Sequence, residues 1–88
     1  LYSMLMEFYG QECPHCMRMQ ELSKKLEAEE SVTLERFEVW HNEENLKKQE
    51  ELDNGQCGGV PFYYNTDNKK FLCGEVEYEE LKAWAKGE

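Results

Sequence analysis

The 88 residues carry 19 acidic and 10 basic side chains, a net charge of −9, and are 40% hydrophobic and 33% charged. So acidic a balance argues against nucleic acid and anionic membrane surfaces as partners, and no apolar run is long enough to span a bilayer. Length and composition bound the chain to one small soluble domain, residues 1–88, a monomer whose packing can hold it without a disulfide scaffold.

Leu1 to Tyr9 is a mostly continuous apolar run, the pattern of a central strand buried on both faces, with Glu7 as its anomaly. The chain opens on this strand without an initiator Met, which leaves open a longer precursor trimmed of a leader or flanking domain. Compartment is open with it: cytoplasmic or organellar, the chloroplast included. From Pro14 to Glu30, Cys16, Met19, Leu22 and Leu26 recur at helical spacing, with Lys and Glu on the opposite face. Val32 to Trp40 is rich in β-branched and aromatic residues and predicts a second strand. Asn42 offers an N-cap for a short polar helix with a thin stripe, Leu46 and Leu52, ended by Asn54-Gly55. Phe62-Tyr63-Tyr64-Asn65 and Lys70-Phe71-Leu72-Cys73 flank Thr66-Asp67-Asn68-Lys69, a β-hairpin whose second arm Gly74 stops. Glu77 to Lys86 closes as a helix, with Leu81 and Trp84 on one face and acidic residues in the first turn, where the dipole favours them. The order β-α-β-α-β-β-α is α/β. A right-handed crossover makes the first two strands parallel, and the hairpin adds an antiparallel arm to a central four-stranded mixed sheet with helices on both faces.

The segment Glu7-Phe8-Tyr9-Gly10-Gln11-Glu12-Cys13-Pro14-His15-Cys16 runs a strand into a C-x-x-C at the head of a helix. A thiolate is the nucleophile in disulfide exchange, and a helix start offers it unpaired N–H groups and the positive end of the dipole. Pro14 suits the first helical position, where its missing N–H costs nothing. Cys16, one turn further in, can attack a mixed disulfide on Cys13 and release the reduced product. A protonated His15 favours the neighbouring thiolate, whereas the carboxylate of Glu12 opposes it.

Three features resemble the thioredoxin-like superfamily over nearly the whole chain: Glu-Phe-Tyr-Gly-Gln-Glu-Cys-Pro-His-Cys, Gly-Gly-Val-Pro-Phe, and the hairpin-Gly-helix ending. The resemblance implies that Pro61 is cis and that the backbone of Val60 pairs with an extended substrate segment. Gly59, Val60, Pro61 and Gly74 are the substrate-binding residues expected from it. Glu7 precedes Cys13 by six residues, the offset at which thioredoxins carry a buried Asp beneath the second cysteine. Buried there, a carboxyl would accept the Cys16 proton through a water; the alternative is a strand-end carboxylate reaching solvent.

The implied activity is that of an enzyme: thiol–disulfide exchange on protein disulfides through Cys13 and Cys16, without cofactor or metal. Its partners would be proteins bearing disulfides or dithiols, with a reductase or glutathione to reset it. Pro14-His15 is the pair found in DsbA-type periplasmic oxidases, but the chain has no room for their inserted helical domain. Compact length and C-P-x-C also resemble glutaredoxins, although Gln11-Glu12 stand where those place a basic residue. A glutathione-dependent enzyme, and a redox-inert binding or metal module, are therefore the alternatives.

For Cys57 and Cys73 three readings stay open: two small buried side chains, a second disulfide, or a zinc or iron–sulfur site with Cys13 and Cys16. His41 is expected in a loop or capping role. Phe62, Tyr63, Tyr64 and Phe71 are expected to pack the sheet, and the acidic runs to be solvated helix faces.

Overall fold

The structure, a computed structural model, describes residues 4–88, so the predicted strand's first three residues, Leu1 to Ser3, lie outside the described residues. Seven elements follow in the expected order: β1 (Leu5–Tyr9), α1 (Pro14–Glu30), β2 (Leu34–Glu38), α2 (Glu43–Asp53), β3 (Phe62–Asn65), β4 (Phe71–Cys73) and α3 (Tyr78–Lys86). The strands form one mixed sheet in the order β2-β1-β3-β4, with β1 and β2 parallel and the other two pairs antiparallel. No helix among the described residues is long and apolar enough to cross a membrane.

Strand alternation splits the core into two layers, one on each face of the sheet. On one face Met19 and Leu26 of α1 and Leu81 and Trp84 of α3 pack on Leu34 and Tyr63. On the other, Met6, Phe8, Val39 and Phe62 form a second cluster, with Leu52 of α2 and Cys57 packed against it. Trp84 closes the first layer: its ring meets Tyr63 edge-on, centroids 5.4 Å apart, and its indole N–H donates to the Lys70 carbonyl at 3.1 Å. A buried indole with its one donor satisfied gives hydrophobic burial at no polar cost.

Two elements depart from the sequence reading. The second strand stops at Glu38 rather than Trp40, because the Glu38 carboxylate captures the backbone N–H groups of Trp40 and His41 that a longer ladder would have used. And α2 is anchored by polar residues: Gln49 and Asp53 are its buried positions, while Leu46 is exposed. Asn42 does cap α2, accepting the Asn45 N–H at 3.0 Å, and Asn54 ends it with a left-handed φ of 51°.

Candidate active site

Topology gathers three loops at one end of the sheet. Phe8 near the end of β1 pairs with Phe62 at the start of β3, and Phe62 pairs with Cys73 at the end of β4. The segments after Tyr9, before Phe62 and after Cys73 therefore share that end. They carry Cys13 and Cys16, Gly59 to Pro61, and Gly74.

Cys13 is the N-cap of α1, extended at φ −84° and ψ 112°, with Pro14 opening the helix behind it. Its sulfur accepts the Cys16 backbone N–H at 3.1 Å, and its own N–H donates to the Gly10 carbonyl at 3.1 Å. The sulfur thus occupies the place of a capping oxygen, facing N–H groups that the first helical turn leaves unpaired. Both cysteines are free thiols; Cys13 is 3% exposed and Cys16 not at all. Burial pushes the Cys16 thiol up to about 12, with the neighbouring Cys13 and the charge of Glu7 adding to the rise against a backbone hydrogen bond from Gly10. Cys16 therefore stays protonated at neutral pH until something takes its proton.

Glu7 is fully buried. Strand register sets its neighbours, Arg36 on β2 and Tyr63 on β3. The Tyr63 hydroxyl donates to Glu7 Oε2 at 3.2 Å, and Ser23 Oγ lies 3.1 Å from the same hydroxyl. Oε1 has Arg36 Nε at 3.4 Å, an ionic contact outside hydrogen-bond geometry, so this buried oxygen carries no hydrogen bond. The guanidinium is also held over the Tyr9 ring, 4.4 Å from its centroid. Burial raises the Glu7 pKa, against the opposing pull of Arg36 and of the Ser23 and Tyr63 hydroxyls. Of the two readings of Glu7, the solvated strand-end carboxylate is the one the structure removes. By sequence Tyr63 reads as sheet packing, and neither Ser23 nor Arg36 stands out. Only the pairing of strands reveals them, since Tyr63 and Arg36 stand 56 and 29 positions along the chain from Glu7.

Around the motif, charges pair locally. Glu12 meets His41 Nε2 at 2.8 Å, and that hydrogen bond raises the His41 pKa. His41 is therefore the hydrogen-bond partner of the carboxylate beside Cys13, which favours its charged form, a role its sequence position did not signal. Although burial works the other way, the backbone N–H groups of His41, Gln11 and Trp40 hold the Glu38 carboxyl below its usual range, fastening the segment after β2 to the loop before Cys13. The imidazole of His15 turns to Glu75, Nδ1 to Oε2 at 3.1 Å, and Arg18 reaches the same carboxylate at 3.0 Å.

The Val60–Pro61 peptide is cis, and the Pro61 carbonyl accepts the Gly74 N–H at 2.8 Å. Pro61 is buried, Val60 half-buried and Gly59 exposed, with nothing within 4 Å of a side-chain carbon placed at Gly59. Behind the loop, Asp53 accepts the N–H groups of Cys57 and Gly58 at 2.5 and 2.6 Å, and the Gln49 amide donates to the Gly59 carbonyl at 2.7 Å. Cys57 and Cys73 are joined in a disulfide. Of the three readings for this pair the structure selects that one, and among the described residues no group of three or more His, Cys, Asp or Glu side chains could hold a metal ion. The four-cysteine metal site is thereby corrected: two of its supposed ligands are consumed by their own bond.

No family model and no curated protein matches the sequence. Among solved structures, the chain is similar to a glutaredoxin from Archaeoglobus fulgidus, with a TM-score of 0.70 and 26% identity over 97% of this chain and 88% of that one. The fold is thioredoxin-like, with the C-x-x-C at the head of the first helix.

Proposed function

We propose that this chain is a thiol–disulfide oxidoreductase acting on protein disulfides through Cys13 and Cys16. The observation that carries the reading is the Cys13 sulfur at the head of α1, accepting the Cys16 N–H at 3.1 Å, with the Cys16 thiol fully buried behind it. A sulfur so placed faces the unpaired N–H groups of the first helical turn, and its neighbour is kept from wasteful side reactions.

In the forward direction the Cys13 thiolate attacks one sulfur of a substrate disulfide, the substrate S–S bond breaks, and the departing sulfur takes a proton. Cys16 then loses its proton to Glu7 through a water and attacks Cys13, expelling the second substrate sulfur as a thiol and closing the Cys13–Cys16 bond. Two electrons pass from the pair to the substrate. A carboxyl with a raised pKa suits that proton transfer, because it holds a proton firmly enough to take it and loosely enough to return it. Gly59, Val60 and Pro61 supply backbone for an extended peptide, with Gly74 bracing Pro61 from the next strand. The enzyme acts as a monomer on proteins and is reset by a reductase or by glutathione.

Cys16→Ser tests this directly. Incubated with protein disulfides, the variant is expected to accumulate covalent mixed disulfides at Cys13 that dithiothreitol dissolves; no adducts, and no insulin reduction by the parent protein, would overturn the proposal. The likeness to a glutaredoxin favours a second reading, dependence on glutathione. Against it, the net charge of −9 disfavours the carboxylates of that tripeptide, although Glu12 and Glu75 beside the motif are themselves paired with His41 and with Arg18 and His15. Adducts formed with glutathione alone would select this second reading. Equilibration of the couple against glutathione measures whether Pro14-His15 makes it less reducing than thioredoxin, as the proposal holds.

A further inference from the structure

The two half-cystines of Cys57–Cys73, their Cα atoms 5.6 Å apart, belong to different parts of the site. Cys73 is fixed by the sheet, paired with Phe62 and followed by the Gly74–Pro61 hydrogen bond. Cys57 lies in the loop between α2 and β3, which carries Gly58 to Pro61. The hydrogen bonds that hold that loop from behind run from the N–H groups of Cys57 and Gly58 to the Asp53 carboxylate and from the Gln49 amide to the Gly59 carbonyl. The disulfide is thus the covalent tie between the loop before the cis peptide and the end of β4, which Gly74 follows. It is also the more accessible of the two cysteine pairs: Cys73 is exposed and Cys57 half-buried, whereas Cys13 and Cys16 are both buried. Exposed disulfides are those open to thiolate attack, and the acidic chain leaves a neutral dithiol free to approach.

We propose that Cys57–Cys73 is a second thiol–disulfide exchange site, opened by a dithiol reductant, and that its state sets how firmly the Gly58–Pro61 loop is ordered. A thiolate of the reductant attacks the sulfur of Cys73, the more exposed of the two residues, the Cys57–Cys73 bond breaks, and Cys57 leaves and takes a proton. The reductant's second thiol then displaces Cys73, so that the reductant ends as a disulfide and Cys57 and Cys73 as two thiols. With the tie open the loop loses its covalent link to β4, and its hydrogen bonds to Asp53 on α2 open more often. That this loop receives a substrate peptide rests on the function proposed above; the exchange and the loosening do not.

The test uses the full chain carrying Cys13→Ser and Cys16→Ser, so that it reads only the second pair and no oxidoreductase activity enters. The protein is titrated with reduced and oxidised dithiothreitol, thiols are counted by alkylation and mass, and amide exchange is followed in both states. The expected result is opening of the pair in folded protein, with the amides of Cys57 and Gly58, which donate to Asp53, exchanging about tenfold faster and those of β1 unchanged. Three results would each overturn the proposal: a pair that resists reduction until the chain unfolds, loop amides indifferent to opening, or loss of β1 protection on reduction, which would mark the bond as a structural staple. Failure of Cys16→Ser to trap substrates leaves this experiment unaffected, so the two proposals fail separately.

Discussion

Glu7 shows how one residue joins stability to chemistry. Burial raises its pKa, so the folded chain binds this proton more tightly than the unfolded chain does. The resulting contribution to stability is complete below the ordinary carboxylate range and is lost as pH rises through the folded value. Glu7→Gln removes the titration while keeping an acceptor for Tyr63. The melting temperature of the variant relative to the parent should therefore climb as pH rises from the ordinary carboxylate range through the raised folded value, whereas resolution by Cys16 at neutral pH should slow by roughly tenfold or more. A melting difference flat across that range would show that burial does not govern this group. His41 behaves in the opposite chemical sense, since hydrogen bonding to Glu12 favours its charged form; its contribution is present below the ordinary imidazole range and disappears as pH rises through the folded value. Removing it in His41→Ala leaves Glu12 uncompensated beside Cys13 and should slow alkylation of Cys13 near pH 7 by roughly twofold, the small factor expected of exposed charges. High salt should erase that difference; if salt leaves it intact, the pair acts by something other than its charge.

At the scale of elements, the residues that punctuate the chain announce themselves. Pro14 opens α1, Asn42 caps α2 and Asn54 ends it, all at positions the letters predict, because capping chemistry is local. The connection between β1 and α1 is different. Gly10 leaves room for the Trp40 indole: a side-chain carbon there would run into the ring's Cδ2 and Cε2. Trp40 is 51% exposed, so it has room to swing away rather than force the backbone apart. Gly10→Ala should accordingly cost only about 1–2 kcal/mol in urea unfolding while shifting Trp40 fluorescence to the red, and Trp40→Ala in the same chain should recover most of the loss. Unchanged fluorescence would mean that the ring does not cover Gly10. Nothing in the spacing of Gly10 and Trp40 signals this contact, because it depends on the segment after β2 folding back over the loop after β1. The same fold-back removes two residues from the C-terminal end of the predicted second strand, which also starts two residues late, at Leu34 rather than Val32.

Considered as a whole, the molecule is a thin sheet with one apolar layer on each face, and the α1–α3 layer is closed from the C-terminal side by Trp84. A domain of this length holds on the order of 10 kcal/mol at most. Trp84→Ala, which would leave a cavity against Tyr63 while the Lys70 carbonyl keeps only its bond from the Asn65 N–H, should cost about 3–5 kcal/mol and lower the melting temperature by more than ten degrees or so. A loss near 1 kcal/mol would show that α3 is loosely docked. The seven elements, their order, the parallel and antiparallel pairings and the place of the C-x-x-C were all legible in the amino acids, because periodicity, caps and turns act over a few residues and chain-crossing rules leave few ways to join them. Which distant residues meet was not legible. Tyr63 and Arg36 flank Glu7 through register, His41 answers Glu12 through a folded-back turn, and Cys57 finds Cys73 because β3 and β4 bring them to one end of the sheet. Such contacts depend on the angle and register of packed strands, set by the sum of many small burial energies rather than by any short stretch of chain, and only the tertiary structure decides them.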